Sequence, residues 1–178
     1  GDIPNGSGLS SSASLEVVTA FAFLTLEGGD TNTVEIALLS QRAENQYVGV
    51  NSGIMDQFAV ANGKRDHAIL LMCDTLEYDL VPFVTGAYKL VIGNTNKKRG
   101  LVDSKYNERR QQCDEALSIL QKEIPSLSYL AELTREQFEE HQDKIVDETV
   151  RRRARHVVEE NQRVLESVKV LKNNDLKQ

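Results

Sequence analysis

The sequence predicts a protein of α+β class with a two-layer α/β arrangement, and three observations support this prediction. A stretch rich in glycine and serine leads directly into helical patterns. Strand-like runs follow in the middle of the chain, and from residue 103 onward the pattern is almost wholly helical. The composition changes near residues 95–103. We take this change as a domain boundary, with residues 1–95 and 96–178 as the two parts.

Hydrophobic spacing predicts three helices in the first part of the chain, over residues 11–26, 32–46 and 54–61. The first helix is so apolar that we expect it to be buried on more than one side. Asp30, Asn32 or Thr33 is the expected N-cap of the second helix. The predicted inward positions of the first two helices are Leu15, Val18, Ala22, Leu26, Ile36, Leu39 and Ala43.

Three strands are predicted after these helices, over residues 68–73, 77–81 and 88–93. The turn residues Asp74 and Thr75 separate the first two strands, so we expect these two to form a hairpin. Such a segment after a run of helices agrees with the α+β class.

The second part of the chain is predicted to be helical over residues 104–122 and 147–172. Between these helices, Thr134 and Gln137 have the spacing of a capping box that opens a short helix. The predicted inward positions of the last helix are Val150, Ala154, Val157, Val158, Val164, Val168 and Leu171.

The composition argues against several classes of protein. The net charge of −6 and the pI near 5.2 argue against nucleic acid as a partner. No apolar run is long enough to span a bilayer, so no membrane partner is expected. Cys73 and Cys113 form neither a disulfide framework nor a zinc-binding spacing. Reduced thiols in the cytoplasm are the simplest interpretation.

The stretch PNGSGLSSSAS, from Pro4 to Ser14, has the composition of a phosphate-binding loop. Glycines allow close approach of the backbone to a ligand, and the helix N-terminus that follows attracts anions. It is not a Walker A loop, because Leu9 stands where that loop needs lysine, and Ser11 replaces the third glycine of a dinucleotide fingerprint. An ordinary loop with a serine N-cap is the alternative.

Four carboxylates near this loop in sequence could bind a metal or a substrate hydroxyl: Glu16, Glu35, Glu44 and Asp56. Glu44 lies just before a glycine break, where a side chain can project into a cleft; the alternative is a solvent-facing glutamate. Asp56 lies between apolar residues at a helix start, where burial of an unpaired charge would be costly. It is either a base or orienting group for a hydroxyl, or an acid that complements the helix dipole.

The string PNGSGLSSSA resembles the phosphate loop of the GHMP kinases. Residues 43–58, 104–113 and 153–161, which read AENQYVGVNSGIMDQF, SKYNERRQQC and RARHVVEEN, resemble the galactokinases within that family. The resemblance implies the GHMP kinase fold. Residues 1–95 would be part of an N-terminal ATP-binding domain that is similar to ribosomal protein S5, with a mixed sheet. Residues 96–178 would be the helical part of a C-terminal domain, and both domains would be incomplete.

The resemblance also implies ATP-dependent phosphorylation of galactose at its C1 hydroxyl, with ATP and Mg²⁺. Ser12 and Glu44 match the positions that bind Mg²⁺ in the family. Asp56 matches the catalytic aspartate, and it would line the galactose site together with Gly53 and Tyr106. The positions that match the ATP phosphate loop are Gly6, Ser7, Gly8, Leu9, Ser10, Ser11 and Ser12.

Three positions depart from the common pattern of the galactokinases: Ser52, Gly100 and Lys105. None removes a reacting group, but Lys105 next to Tyr106 bears on the choice of sugar. A kinase for N-acetylgalactosamine or another sugar is therefore an alternative. A galactose- and ATP-binding regulator without catalysis and a helical interaction domain are two further alternatives.

The sequence does not contain the sugar motif of the family's N-terminal segment or its C-terminal glycine-rich motif. We therefore expect the chain to be an internal piece of a cytoplasmic enzyme that needs the rest of the full-length chain. Because half of the sugar site would be missing, residues 1–178 by themselves are expected to have negligible activity.

Overall fold

The computed structural model describes residues 2–4, 7–94 and 104–173, with only the backbone of Ser104. Its contacts divide the chain into two compact units, residues 1–103 with 174–178 and residues 104–173. The predicted boundary between residues 95 and 96 lies outside the described residues. The assignment of the two parts to the two domains of a kinase stays a prediction.

The described part of the first unit contains three α-helices and a hairpin. Helix α1 is Ser11–Leu26, α2 is Thr33–Ala43 and α3 is Met55–Asn62. A single π-helical turn, Glu44–Val48, continues α2. The predicted limits of α1 are those observed, whereas the predicted second helix is divided between α2 and the π-helical turn. The N-cap of α2 is Asn32, one of the three candidates, whose side-chain oxygen accepts hydrogen bonds from two backbone N–H groups of the first turn.

The buried face of α1 is narrower than predicted. Ala13 and Val17, one turn apart, are its buried residues among those the structure describes. The prediction that α1 is buried on several sides is wrong, because α2 and α3 pack against the face that carries these two small side chains. The remaining predicted inward positions are exposed, which are Leu15, Val18, Ala22 and Leu26 on α1 and Leu39 and Ala43 on α2. Phe21 and Phe23 of α1 are exposed as well.

Strands β1, His67–Leu71, and β2, Tyr78–Pro82, form the predicted antiparallel hairpin, with His67 opposite Pro82. Phe58 of α3 is 1% exposed, and its ring meets the ring of Tyr78 edge to face with centroids 5.1 Å apart. This aromatic contact joins the hairpin to α3, and so to the helices that carry the loop.

The third predicted strand, residues 88–93, is not a strand in the structure. The sheet of the described residues has two strands, and residues 88–93 pair with neither. A strand requires hydrogen bonds to a neighbour, so an apolar β-prone run without a partner remains irregular. Its large side chains are accordingly exposed, those of Leu90 and Val91 by 77% and 87%. The mixed sheet expected from the family resemblance is likewise reduced to this hairpin in the described part of the chain.

The second unit contains helices α4, Ser104–Leu120, α5, Arg135–His141, and α6, Glu148–Lys172. The predicted capping box at the start of α5 is confirmed: the Thr134 hydroxyl accepts from the Gln137 N–H at 3.2 Å, and the Gln137 side chain accepts from the Thr134 N–H at 3.0 Å. Both bonds satisfy donors that the first turn of a helix leaves unpaired.

One hydrophobic core holds the second unit together. Val150, Ala154 and Val158 of α6 face it as predicted, but Val164 is 45% exposed, so its predicted inward position is wrong. The fully buried positions of α6 thus lie in its first half, whereas the predicted inward residues Val157, Val168 and Leu171 are partly buried. The other buried members of this core are Ala116, Leu120, Leu127, Leu130, Leu133, Phe138 and Ile145.

The state of the two cysteines and the apolar length of the helices can be read from the described residues. Cys73 is an exposed free thiol and Cys113 a partly buried one, as expected for reduced cysteines. No helix in the described ranges has the length and apolar character needed to cross a membrane.

Replacing Asp147 with alanine should destabilise the second unit by about 1 kcal/mol, because one carboxylate oxygen caps α6 by accepting from the N–H groups of Thr149 and Val150 at 2.7 and 3.0 Å. Urea unfolding followed by circular dichroism measures this loss. Asp143→Ala is the matched control: its side chain is 91% exposed in an ion pair with Arg151, so the change should stay below about 0.5 kcal/mol. Equal losses in both variants would contradict the capping role.

Candidate active site

The loop before α1 has left-handed backbone at two positions. Gly8 has φ +78°, which glycine tolerates, and Ser10 has φ +56° and ψ +38°, which costs a residue with a side chain roughly 1–3 kcal/mol. Strain of this kind persists where the surrounding structure determines it, and it is concentrated at functional sites. The strained backbone of Ser10 therefore makes this loop a candidate functional segment.

The first turn of α1 has neither a side-chain cap nor an acidic residue. Ser10 occupies the N-cap position, but its hydroxyl makes no capping bond. The N-terminal amides and the positive end of the helix dipole can therefore act on an anion. Among the loop residues, Gly8 and Leu9 are exposed, and Ser7, Ser10, Ser11 and Ser12 are partly buried; Gly6 lies outside the described residues.

The Ser10 hydroxyl donates a hydrogen bond to Asp56 Oδ1 at 2.8 Å, although the two residues are 46 positions apart in sequence. Asp56 lies in the first turn of α3, where its charge also complements the helix dipole. Asp56 is exposed and so avoids the cost of a buried charge, although Ile54 and Phe58 on either side of it are buried. The fold thus brings an accessible carboxylate to the edge of the phosphate-binding loop.

Glu44 is only 4% exposed, and its Oε2 has no hydrogen-bond partner. The alternative of a solvent-facing glutamate is therefore wrong. Glu44 begins the π-helical turn, which ends at Gly49 with φ +86°. A π-helical turn shifts the following side chains from the positions they would have in a regular helix, and such turns are frequent at functional sites. An unpartnered buried carboxylate oxygen is costly unless a cation or a proton meets it.

Glu16 of α1 connects Glu44 to the loop helix. Its carboxyl group is hydrogen-bonded to that of Glu44, and its Oε2 accepts from Gln57 Nε2 at 3.3 Å. Desolvation, followed by the contact with Glu44, raises the pKa of Glu16 to about 7. Because Ser12 and Glu16 are one turn apart on α1, the Ser12 side chain lies on the helix face that meets Glu44.

These oxygens fit the preferences of a magnesium ion, which takes hard oxygen ligands and uses only one or two carboxylates besides water and phosphate. Ser12 offers a hydroxyl on the face of α1 that Glu16 shares with Glu44, and Glu44 offers a buried oxygen without a partner. The described residues contain no group of three or more His, Cys, Asp or Glu side chains arranged to bind a metal. Within the described ranges, protein side chains alone therefore do not complete a coordination shell.

The residues predicted to line the sugar site lie in both units. Gly53 is exposed three residues before Asp56, and a Cβ at Gly53 would meet nothing within 4 Å, so packing among the described residues does not require glycine there. Tyr106 is on α4 in the second unit and is 48% exposed. Its role in sugar binding stays a prediction. Lys105 forms an ion pair with Glu108 at 2.9 Å, which partly neutralises the charge that sets it apart from the family pattern.

Sequence reasoning named Glu16 among four carboxylates but did not connect it to Glu44, and it missed Gln57 as a polar neighbour. The separation of Ser12 and Glu16 by four residues was the available signal, because it predicts a shared helix face. No pattern in the sequence indicates the hydrogen bond between Gln57 and Glu16, since it joins side chains from α1 and α3.

Residues 1–64 match the family model described as the GHMP kinases N terminal domain. Residues 1–64 are therefore similar to the N-terminal domain of the GHMP kinases. The chain is 56% identical over 177 residues to a galactokinase of Clostridium acetobutylicum and 53% identical over 176 residues to a galactokinase of Halalkalibacterium halodurans. Each alignment covers 99% of this chain and 45% of the relative.

A solved structure agrees with the sequence comparisons. The crystal structure of Lactococcus lactis galactokinase complexed with galactose matches 97% of this chain with a TM-score of 0.92 and 45% sequence identity. The match covers 45% of that chain, so this chain spans about 45% of the length of the relatives it matches. The family resemblance drawn from the motifs and the α+β fold class are confirmed.

The stability of the metal-free protein should fall as pH rises from about 4.5 to 7. The folded chain retains the Glu16 proton up to a pKa of about 7, whereas an unfolded glutamate loses it near 4.5. The resulting stabilisation is present below pH 4.5 and is lost as pH rises through 7. Urea unfolding in EDTA at several pH values measures it.

Glu16→Gln should flatten this pH dependence, and Glu27→Gln, which removes an exposed charge at the end of the same helix, should retain it. Identical slopes in the two variants would contradict the raised pKa of Glu16.

Proposed function

We propose that the protein containing this chain is a galactokinase, which transfers the γ-phosphoryl group of ATP to the C1 hydroxyl of galactose. The observation that carries the proposal is the hydrogen bond between Ser10 in the phosphate-binding loop and Asp56. It brings an anion-binding backbone and an accessible carboxylate together, and phosphoryl transfer requires these two groups next to each other. The relatives named galactokinase and the galactose complex of the Lactococcus lactis enzyme support galactose as the acceptor.

The ATP phosphates would lie against the loop from Gly6 to Ser12, where Gly8 allows the backbone to approach closely and α1 contributes its positive end. Gly6 itself lies outside the described residues, so its part in this loop rests on its sequence match. The exposure of Gly8 and Leu9 agrees with a surface that a nucleotide covers.

Mg²⁺ would be held by Ser12 and Glu44, because they offer a hydroxyl and an unpartnered buried carboxylate oxygen on adjoining elements. When bound, the ion neutralises the negative charge that develops on the phosphates in the transition state. The burial of Glu44 keeps its carboxylate in one position and separates it from bulk water.

In the proposed reaction, the C1 oxygen of galactose forms a bond to the γ-phosphorus while the bond from that phosphorus to the bridging oxygen breaks, and ADP leaves with the electron pair. The hydroxyl proton passes to Asp56 or to solvent. Ser10 donates to Asp56 Oδ1, which leaves Oδ2 for the sugar hydroxyl. Asp56 thereby orients the C1 hydroxyl, and where it is the acceptor it takes the proton late in the transfer.

Gly53 and Tyr106 are proposed to contact the sugar, on the strength of their match to family positions. A cytoplasmic location, a partnership with the rest of the full-length chain, and inactivity of residues 1–178 by themselves also stay predictions. Assay of the full-length protein with galactose, N-acetylgalactosamine and glucose separates the proposed acceptor from other sugars. The highest kcat/KM is expected for galactose, and a higher value for another sugar would overturn the assignment.

Asp56→Asn in the full-length protein should lower kcat by about 10²-fold or more, because asparagine cannot accept the hydroxyl proton. ATP affinity should be nearly unchanged. Asp74→Asn, which alters an exposed acid in the hairpin turn of the same unit, is the control and should retain activity. A near-normal kcat for Asp56→Asn would refute the catalytic role.

Glu44→Gln should raise the Mg²⁺ concentration needed for half-maximal activity by about tenfold or more, because an amide oxygen is a weaker ligand than a carboxylate. A Mg²⁺ titration of ADP production measures this. Glu35→Gln, an exposed acid in the first turn of α2, is the control and should leave the titration unchanged. Coincident titrations for wild type and Glu44→Gln would exclude Glu44 as a ligand.

A further inference from the structure

Three polar side chains from three elements meet behind the phosphate-binding loop, and the catalytic proposal leaves two of them without a role. They are Glu16 of α1, Glu44 of the π-helical turn and Gln57 of α3. Glu16 is hydrogen-bonded to Glu44 and accepts from Gln57 Nε2 at 3.3 Å. Among the described residues no lysine, arginine or histidine forms an ion pair with Glu16 or Glu44.

This cluster has more acceptors than donors. Glu44 Oε2 and Gln57 Oε1 are both without a hydrogen-bond partner, and their residues are only 4% and 2% exposed. The Gln57 amide lies in the cluster, since its nitrogen bonds to Glu16. Ser40, one turn before Glu44, contributes a buried hydroxyl without a partner, which can donate as well as accept. Buried acceptors without donors are costly, so a ligand that fits here must bring positive charge and O–H or N–H groups.

A hydrated divalent cation meets both requirements. Magnesium retains several of its water molecules in protein sites, and each water presents two hydrogens that need acceptors. Ser12 and Glu44 are the proposed direct ligands, and Glu16 lies one turn from Ser12 and in contact with Glu44. The acceptors of Glu16 and Gln57 therefore adjoin the position where bound water is expected.

We propose that Glu16 and Gln57 accept hydrogen bonds from the water molecules of the bound Mg²⁺ and act as positioning residues of the metal site. Glu16 keeps the Glu44 carboxylate in its coordinating orientation, and Gln57 fixes Glu16 through its amide. The inference rests on the proposed function, because it requires the metal site of Ser12 and Glu44. Glu16 thereby adds a second carboxylate to the metal site. Its loss should weaken the binding of the metal before it weakens the binding of the nucleotide.

A purely structural role is the competing explanation, since the bond between Glu16 and Gln57 also joins α1 to α3. The two roles differ in what a mutation changes. A structural residue alters thermal stability with metal affinity intact, whereas a residue that orients a ligand or its water typically costs 10–100-fold in metal affinity.

The test measures the binding of Mn²⁺, a spectroscopic substitute for Mg²⁺, to the full-length protein with a non-hydrolysable ATP analogue, by electron paramagnetic resonance. Glu16→Gln should raise the Mn²⁺ dissociation constant by about tenfold or more, while affinity for the analogue without metal stays unchanged. Glu16→Asp should recover part of the loss because it keeps the carboxylate. Glu27→Gln, on the exposed end of α1, should match wild type.

Wild-type Mn²⁺ affinity in Glu16→Gln, with thermal stability lowered or not, would overturn the inference. An unchanged Mn²⁺ affinity in Glu44→Gln would also overturn the inference, because the metal would then lie elsewhere. Failure of the proposed function is a separate result: a protein that binds Mn²⁺ through Glu16 and Glu44 but does not phosphorylate galactose would refute the kinase assignment and support the metal site. Retained galactose phosphorylation with no effect of Glu16→Gln on metal would refute only this inference.

Discussion

The burial of the Glu44 carboxylate is the constraint on which the interpretation of this fold depends. Glu44 is almost completely enclosed, one of its oxygens has no partner, and its side chain contacts another carboxyl group, that of Glu16. A pair of acids in such a place is tolerated only when they share a proton or face a cation. Desolvation, followed by the contact with Glu44, raises the pKa of Glu16 and favours the protonated form, whereas the proposed metal site would supply the cation.

The three helices of the first unit bring the reacting groups together from distant parts of the sequence. Helix α1 carries the phosphate-binding loop at its start and Glu16 one turn inside, the extension of α2 carries Glu44, and α3 carries Asp56 and Gln57. Packing of α1 against α2 and α3 therefore sets the distances between the groups that we propose to bind phosphate, metal and the sugar hydroxyl. Ser10 completes this arrangement, because its strained backbone directs its hydroxyl to Asp56 and away from the helix it precedes.

Features that depend on neighbouring residues could be predicted from the sequence, and features that depend on distant contacts could not. The capping box at Thr134 follows from a spacing of three residues and is observed, and the cap of α2 is Asn32, one of the three candidates that the sequence left open. Residues 88–93 have the composition of a strand, but a strand also needs a partner. Periodicity assumes a regular helix, so it could not indicate the π-helical turn that buries Glu44. The polar contact of Gln57 likewise depends on how α1 and α3 pack.

The most direct test of the central claim is a crystal structure of the full-length protein with galactose, Mn²⁺ and a non-hydrolysable ATP analogue, with the anomalous signal of manganese used to locate the metal. The account predicts the phosphates against residues 7–12, the manganese peak between the side chains of Ser12 and Glu44, and the C1 hydroxyl within hydrogen-bond distance of Asp56. A manganese peak away from Glu44, or phosphates bound away from the loop, would contradict it.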